Sequence, residues 1–198
     1  MMIAIVIFFS LLDLIGHIMY GLKTMKGEIK PNLATWIPWI LAPLLGAYFE
    51  IKAGGGISVL PIFMAGFAGL AVFIAGLITK NAFWKLRKLD YVCLMLSVCS
   101  LIFYIATRNL SVSIIFAILS DALAFIPTFK KTWTNPESEF HMVYSIPVLA
   151  NIVALFVIKD WSFAIYSFGI YLIIFNAAEL IIIYRKKITS TFSRTSAQ

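Results

Sequence analysis

Charge is scarce in this chain. Of 198 residues, 16 are Lys or Arg and 9 are Asp or Glu, so 13% are charged against 62% hydrophobic. Soluble domains carry about 25% charged and about 45–50% apolar residues. A water-soluble fold of this size has too little interior to hide so much apolar surface, which excludes that class. Histidine and cysteine are scarce too, with two of each. His17 and His141 are too few for the His-rich zinc site of a seven-helix membrane hydrolase. Cys93 and Cys99 fall six residues apart in one apolar run, on different faces of a helix. They supply neither a disulfide framework nor a metal site.

Other absences narrow the class further. The apolar residues do not alternate with polar ones, so they do not describe barrel strands. No Lys occurs in 161–184, the last apolar run, to form a retinal Schiff base, which disfavours a rhodopsin. No nucleophile–base pair stands out, and no enzyme activity, cofactor or metal is expected. The first apolar stretch has no preceding basic region and no small-x-small cleavage site, and it carries Asp13 at its middle. It is expected to be a retained span and not a signal peptide.

What the chain has in abundance is long apolar runs. Seven qualify or nearly qualify as spans of about 20 residues: 2–22, 33–51, 57–79, 91–107, 110–129, 142–158 and 161–184. The fourth and sixth are the shortest. The expected fold is therefore an all-α membrane protein of seven transmembrane helices, a single domain over 1–188, with a polar and disordered tail over 189–198. The bilayer is its expected partner. Nothing in the sequence sets an oligomeric state.

The basic residues sort by side. In a seven-span arrangement Lys23, Lys26, Lys30, Lys80, Lys85, Arg87, Lys88, Lys130, Lys131, Arg185, Lys186, Lys187 and Arg194 share one face, and only Lys52, Arg108 and Lys159 lie on the other. Basic loops stay cytoplasmic. The expected orientation is N-terminus outside and C-terminus in the cytoplasm, in a plasma or inner membrane. The net charge of +7 follows from topology, and nucleic acid is not an expected partner.

The chain also resembles itself. At an offset of 108, Asp13 meets Asp121, Ile18 meets Ile126, Lys23 meets Lys131 and Thr24 meets Thr132. Trp36 then meets Tyr144, Leu41 meets Leu149, and Ala42 meets Ala150. The Asp and Lys-Thr matches are informative, because such residues are rare in or beside spans. Two parallel three-helix repeats are expected, 1–79 and 110–184, joined by a linking helix over 91–107. In transporters built on parallel repeats, substrate binds near the midplane between them.

Ionisable groups inside a bilayer are functional by default. Asp13 and Asp121 both fall near mid-span. Ser10, Asp13, His17, Tyr20 and Thr24 recur at spacings of three and four, so they share one face of the first helix. Ser113, Ala117, Asp121, Ala124 and Thr128 make a comparable stripe on the fifth. The two stripes are expected to face a shared cavity in which at least one Asp changes protonation. His17, one turn from Asp13, is its expected hydrogen-bond partner. Asn151 and Asn176 are further candidates for the solute or proton pathway. Glu179 shares a face with Asn176 and is expected near the cytoplasmic interface or beside a basic residue. Pro38, Pro43, Pro127 and Pro147 each remove a helix hydrogen bond, and Pro127 and Pro38 are candidate gating hinges. The Gly- and Ala-rich third run suits close helix packing. Trp36, Trp39, Trp84, Trp133 and Trp161 fall at run ends and read as an interfacial aromatic belt.

This organisation resembles the PQ-loop and SWEET-like superfamily of membrane proteins. In that superfamily the helix opening each repeat carries Pro-Gln before a short basic loop. Here Pro127-Thr128 stands at that place ahead of Lys130-Lys131, and Met19-Tyr20 occupies it in the first repeat. The resemblance implies that Pro127 is a gating hinge. It also implies that Asn176 corresponds to the Asn in the last repeat of SWEET proteins. The third run has no matching Asn, which argues against a standard sugar site. The superfamily includes sugar and amino-acid transporters and a sorting receptor. A small-solute transporter, possible proton coupling included, is the expected function, and a seven-helix receptor or sensor is the alternative.

Overall fold

The computed structural model describes residues 1–79 and 87–195, with side chains to residue 185. Seven α-helices follow in chain order: α1 (Met2–Met25), α2 (Leu33–Lys52), α3 (Leu60–Thr79), α4 (Lys88–Thr107), α5 (Leu110–Thr134), α6 (Met142–Leu155) and α7 (Phe163–Thr195). Single 3-10 turns at Ile57–Val59 and Pro136–Ser138 lead into α3 and α6. Six helices are long and apolar enough to cross a membrane, and α6 is apolar but shorter.

Helix α1 shows why this is a membrane fold. Phe8, Leu11, Ile15, Ile18 and Leu22 form one stripe and are all at least 44% exposed. Ser10, Asp13, His17, Tyr20 and Thr24 form the opposite stripe and are buried. A helix in water would be turned the other way. Here lipid solvates the apolar stripe, and the polar stripe must find partners inside the protein. Helix α4 follows the same rule. Met95, Val98, Ile102 and Ile105 face outward, while Asp90, Cys93, Ser97 and Ser100 face inward.

Those inward groups stitch helices together. Ser120 on α5 donates to the carbonyl of Cys93 on α4 at 2.7 Å. Its single proton is thus used, so Ser97 is the donor in the 2.7 Å contact between the two hydroxyls. Ser100 donates to the carbonyl of Ser113 at 2.7 Å, one turn further along. On α2, Glu50 accepts from Ser58 at 2.8 Å and ties the helix end to the turn before α3.

The packing order is regular. Helix α3 packs on both α1 and α2, and α7 packs on both α5 and α6. Between these groups α1 lies on α6, and α2 lies on α5. Helix α4 packs on α5 and, less extensively, on α2. Small residues set the spacing. A Cβ on Gly66 of α3 would lie 2.8 Å from the carbonyl oxygen of Ile40 and 2.8 Å from Cγ of Leu44, both on α2. The small-residue run of α3 is therefore a packing surface, as its sequence suggested.

Three expectations need adjustment. The sixth run is helical only over Met142–Leu155, giving a length of about 21 Å at 1.5 Å per residue. That is short of the roughly 30 Å hydrocarbon core. The fourth helix begins earlier than its apolar run, at Lys88, because Asp90 accepts from the backbone N–H of Arg87 at 2.7 Å and caps it. The last helix continues to Thr195, through most of the segment expected to be disordered. Lys186 and Lys187 carry the helix past the apolar run, and the sequence that follows has no Gly or Pro to break it.

Candidate functional site

A cavity of about 40 Å³ lies where the two groups of helices meet, walled by His17, Trp36, Trp39, Pro43, Ala65, Asp121, Phe125, Val143, Tyr144, Pro147, Leu172 and Asn176. Every long helix but α4 contributes. The volume holds only a few waters. The aromatic wall is built around Trp39. Its ring centroid is 4.5 Å from that of Phe125, 5.4 Å from that of Trp36 and 6.5 Å from that of Tyr144. Its indole N–H donates to the backbone carbonyl of Asp121 at 3.3 Å, which fixes the ring against α5.

Asp121 is 2% exposed. Its Oδ2 accepts from the Tyr171 hydroxyl at 2.7 Å, whereas Oδ1 has no partner among the described residues. A buried carboxylate is stable only when its oxygens are satisfied. The unpartnered Oδ1 of this wall residue is therefore the site's most demanding atom. It is satisfied by carrying a proton or by facing a cation or donor.

His17 stands across the cavity on α1. Its Nδ1 lies 2.9 Å from the carbonyl oxygen of Asp13 and 3.2 Å from Asp13 Oδ1. With the Nδ1 proton committed there, the neutral ring presents Nε2 as an acceptor. Asn176 on α7 donates one N–H of its Nδ2 to the carbonyl of Leu172 at 2.8 Å, leaving its second N–H and its Oδ1 as the remaining polar groups.

The basic end beside the cavity is tied by Glu139, whose side chain is 4% exposed. It accepts from Tyr144 at 2.9 Å, from Tyr20 at 3.2 Å and from Lys131 Nζ at 2.7 Å. Lys131 also donates to the carbonyl of Lys30 at 2.9 Å. One carboxylate thus joins α1, α5, α6 and the loop between α1 and α2. Charge-assisted bonds of this kind are short and strong. Tyr144 spans both features, its ring walling the cavity and its hydroxyl entering the knot. The opposite end carries a separate hollow. A vestibule of about 640 Å³ lies between Gly54, Gly55 and Gly56 on one side and the segment from Phe156 to Asp160 on the other.

The structure brings His17, Asp121 and Asn176 of the sequence candidates to the cavity wall. Asp13 is buried behind His17 and does not line it, so the two Asp residues are not exposed to one space. Tyr20 and Thr128 lie toward the basic end. Tyr20 belongs to the Glu139 knot, and Thr128 with Pro127 borders a separate surface hollow beside Lys130 and Lys131. Asn151 is buried one turn beyond the cavity, donating to the carbonyl of Pro147 at 2.9 Å. Pro38 is buried in α2 and absent from the wall, where Pro43 and Pro147 are present. Glu179 is 0% exposed and accepts from Thr132.

Sequence reasoning missed the aromatic wall. Trp36 and Trp39 read as interfacial residues, yet they are only 4% and 9% exposed. Trp133 and Trp161, at 60% and 56%, do suit a belt. Trp84 lies outside the described residues. The available signal was the i, i+3 spacing of Trp36 and Trp39 with Pro43 on the same face. Glu139 was missed because it lies in a loop, where an acid looks solvated. Among the described residues no group of three His, Cys, Asp or Glu is placed to hold a metal ion. No protein-family model, curated protein or solved structure matches the chain.

Proposed function

We propose that this chain is a proton-coupled transporter of small solutes, built from two parallel three-helix repeats joined by α4, with its site between the repeats. The observation that carries the reading is that Asp121, a residue lining the cavity between the two helix groups, has a buried Oδ1 without a partner among the described residues. A carboxyl there can take a proton from one side and release it to the other when the surrounding helices shift. The Glu139 knot and the hollow at the other end stand where the two gates of such a cycle would lie.

The repeat reading is supported by the packing order, in which the third helix of each group lies on both of the others. It is also supported by the wall. His17 and Phe125, Trp36 and Tyr144, and Trp39 and Pro147 are each related by the 108-residue offset, and all six line the cavity. The basic end carries Lys23, Lys30, Lys130 and Lys131, so it faces the cytoplasm of a plasma or inner membrane, with the N-terminus outside.

The test is flux in liposomes containing purified protein, screened over small polar solutes with and without a pH gradient. Uptake that responds to the gradient, and loses that response in Asp121→Asn, supports the reading. Solute binding without flux would replace it with a receptor.

A further inference from the structure

We infer that the central site takes a small organic cation rich in N–H donors, a guanidinium or primary ammonium group, and that this cation and a proton exclude one another at Asp121. The inference rests on reading the cavity as the solute site and names the class of solute.

Three observations converge. The first is the polarity of the wall. Asp121 Oδ1 is an acceptor without a partner among the described residues. Asn176 has committed one amide proton to the Leu172 carbonyl, so its carbonyl oxygen and its second N–H remain. His17 has committed Nδ1 to Asp13, so Nε2 remains as an acceptor in the neutral ring. The one group among them that lacks any partner, Asp121 Oδ1, calls for a donor on the ligand.

The second observation is charge. The wall contains one carboxyl and no Lys or Arg. An anionic solute would meet Asp121 with nothing to offset it, and a neutral polyol would find few donors for its own oxygens. A cation meets the carboxylate directly.

The third is the aromatic surround. Trp36, Trp39, Phe125 and Tyr144 wall the same space, and Trp39 stands nearly perpendicular to Trp36 at 85°. Aromatic faces attract ammonium and guanidinium groups, Trp most strongly, and the attraction grows when water is excluded. Rings set at angles to one another present faces from more than one direction.

The exclusion of proton by cation follows from the same atom. The titratable groups facing Asp121 are Tyr171 from α7, Cys93 from α4 and His17 from across the cavity on α1; α2 contributes the indole of Trp39, and α6 the phenol of Tyr144. None brings a fixed positive charge. Oδ1 then holds either a proton or the cation. When the cation arrives, the O–H bond at Asp121 breaks, the proton passes to water, and the charge in the site is unchanged. No other reactant is needed.

The experiment uses the full chain in detergent and pairs guanidinium with urea, which match in shape and differ in charge. Binding is followed by calorimetry and by tryptophan fluorescence. Guanidinium should bind at least about thirtyfold more tightly than urea, as expected for a desolvated ion pair. Trp39→Phe should weaken guanidinium binding by about tenfold or less. Asp121→Asn should abolish the preference for guanidinium over urea, and with it the weakening of guanidinium binding as pH falls. Equal binding of urea and guanidinium by the unaltered chain overturns the inference, and that comparison needs no variant to fold. Flux of a neutral or anionic solute in liposomes, with no guanidinium binding, would sink the cation assignment and leave the transporter reading standing. No binding together with no flux of any solute would remove both.

Discussion

The hydroxyl of Tyr171 on α7 donates to Oδ2 of Asp121 on α5 across 2.7 Å, joining the two helices beside the cavity. Tyr171 is 6% exposed, so no bulk water is at hand to replace the bond. Tyr171→Phe should therefore lower stability by about 1–3 kcal/mol, the cost of an unsatisfied buried acceptor. Thermal unfolding in detergent measures it. Asp121→Ala and Tyr171→Phe should be non-additive when combined, because each removes the same bond. Additive losses would show that the contact contributes nothing.

Glu139→Gln tests the knot at the basic end. The variant keeps the shape of the side chain but removes the charge that Lys131 faces at 2.7 Å. Loss of charge-assisted bonds of this kind costs about 1.5–3 kcal/mol. Amide exchange over 136–146 and at the start of α2 should rise by about tenfold or more. Exchange in α4, which takes no part in the knot, should not move. A uniform rise across all helices would mean that the knot only adds global stability.

Gly66→Val probes the contact between α2 and α3. The new Cβ would press on the Ile40 carbonyl, which is backbone and cannot step aside. A loss of about 1–3 kcal/mol is expected from overpacking, read as a lower unfolding temperature. The same substitution at Gly56, whose Cβ would meet nothing within 4 Å, is the matched control. Equal effects at both positions would argue against the close approach.

Orientation is read by thiol labelling. In a background with Cys93 and Cys99 replaced, Gly55→Cys should react with an impermeant reagent in intact cells, and Lys85→Cys should react only after lysis. The motive is the side-sorting of basic residues. The opposite pattern would invert the protein in its membrane.

Much of the fold is legible because lipid simplifies the rules. Hydropathy alone locates α1, α2, α3, α5 and α7 to within a few residues at most of their ends. The inward stripe of α1 is legible too, since polar residues at spacings of three and four have nowhere else to go. The boundaries of α4 and α6 are less so. A cap at Asp90 starts one helix inside a charged segment, and the short helical stretch of the other ends at Leu155 within an apolar run. Within the site, Asp121, His17 and Asn176 announce themselves as polar groups in apolar runs. Trp36 and Trp39 do not, because a tryptophan at a span end satisfies the interface and an interior wall equally well. Asp13 shows the remaining limit. Helical spacing gives its face, but which member of that face reaches the cavity depends on how deeply α6 and α2 press against α1.

The brevity of α6 has an electrical consequence. A helix about 21 Å long, with Leu149 and Phe156 exposed on its outer side, is shorter than the bilayer it sits in, and such mismatch is relieved by local thinning of the lipid or by water entering at the helix end. Either way the insulating layer beside α6, which walls the cavity through Val143, Tyr144 and Pro147, is thinner than elsewhere. The membrane potential, worth about 2.3 kcal/mol per charge for each 100 mV, then falls over a shorter path there. A charge moving between the vestibule and Asp121 crosses a disproportionate share of the voltage, so the rate of that one step should be steeply sensitive to membrane polarisation.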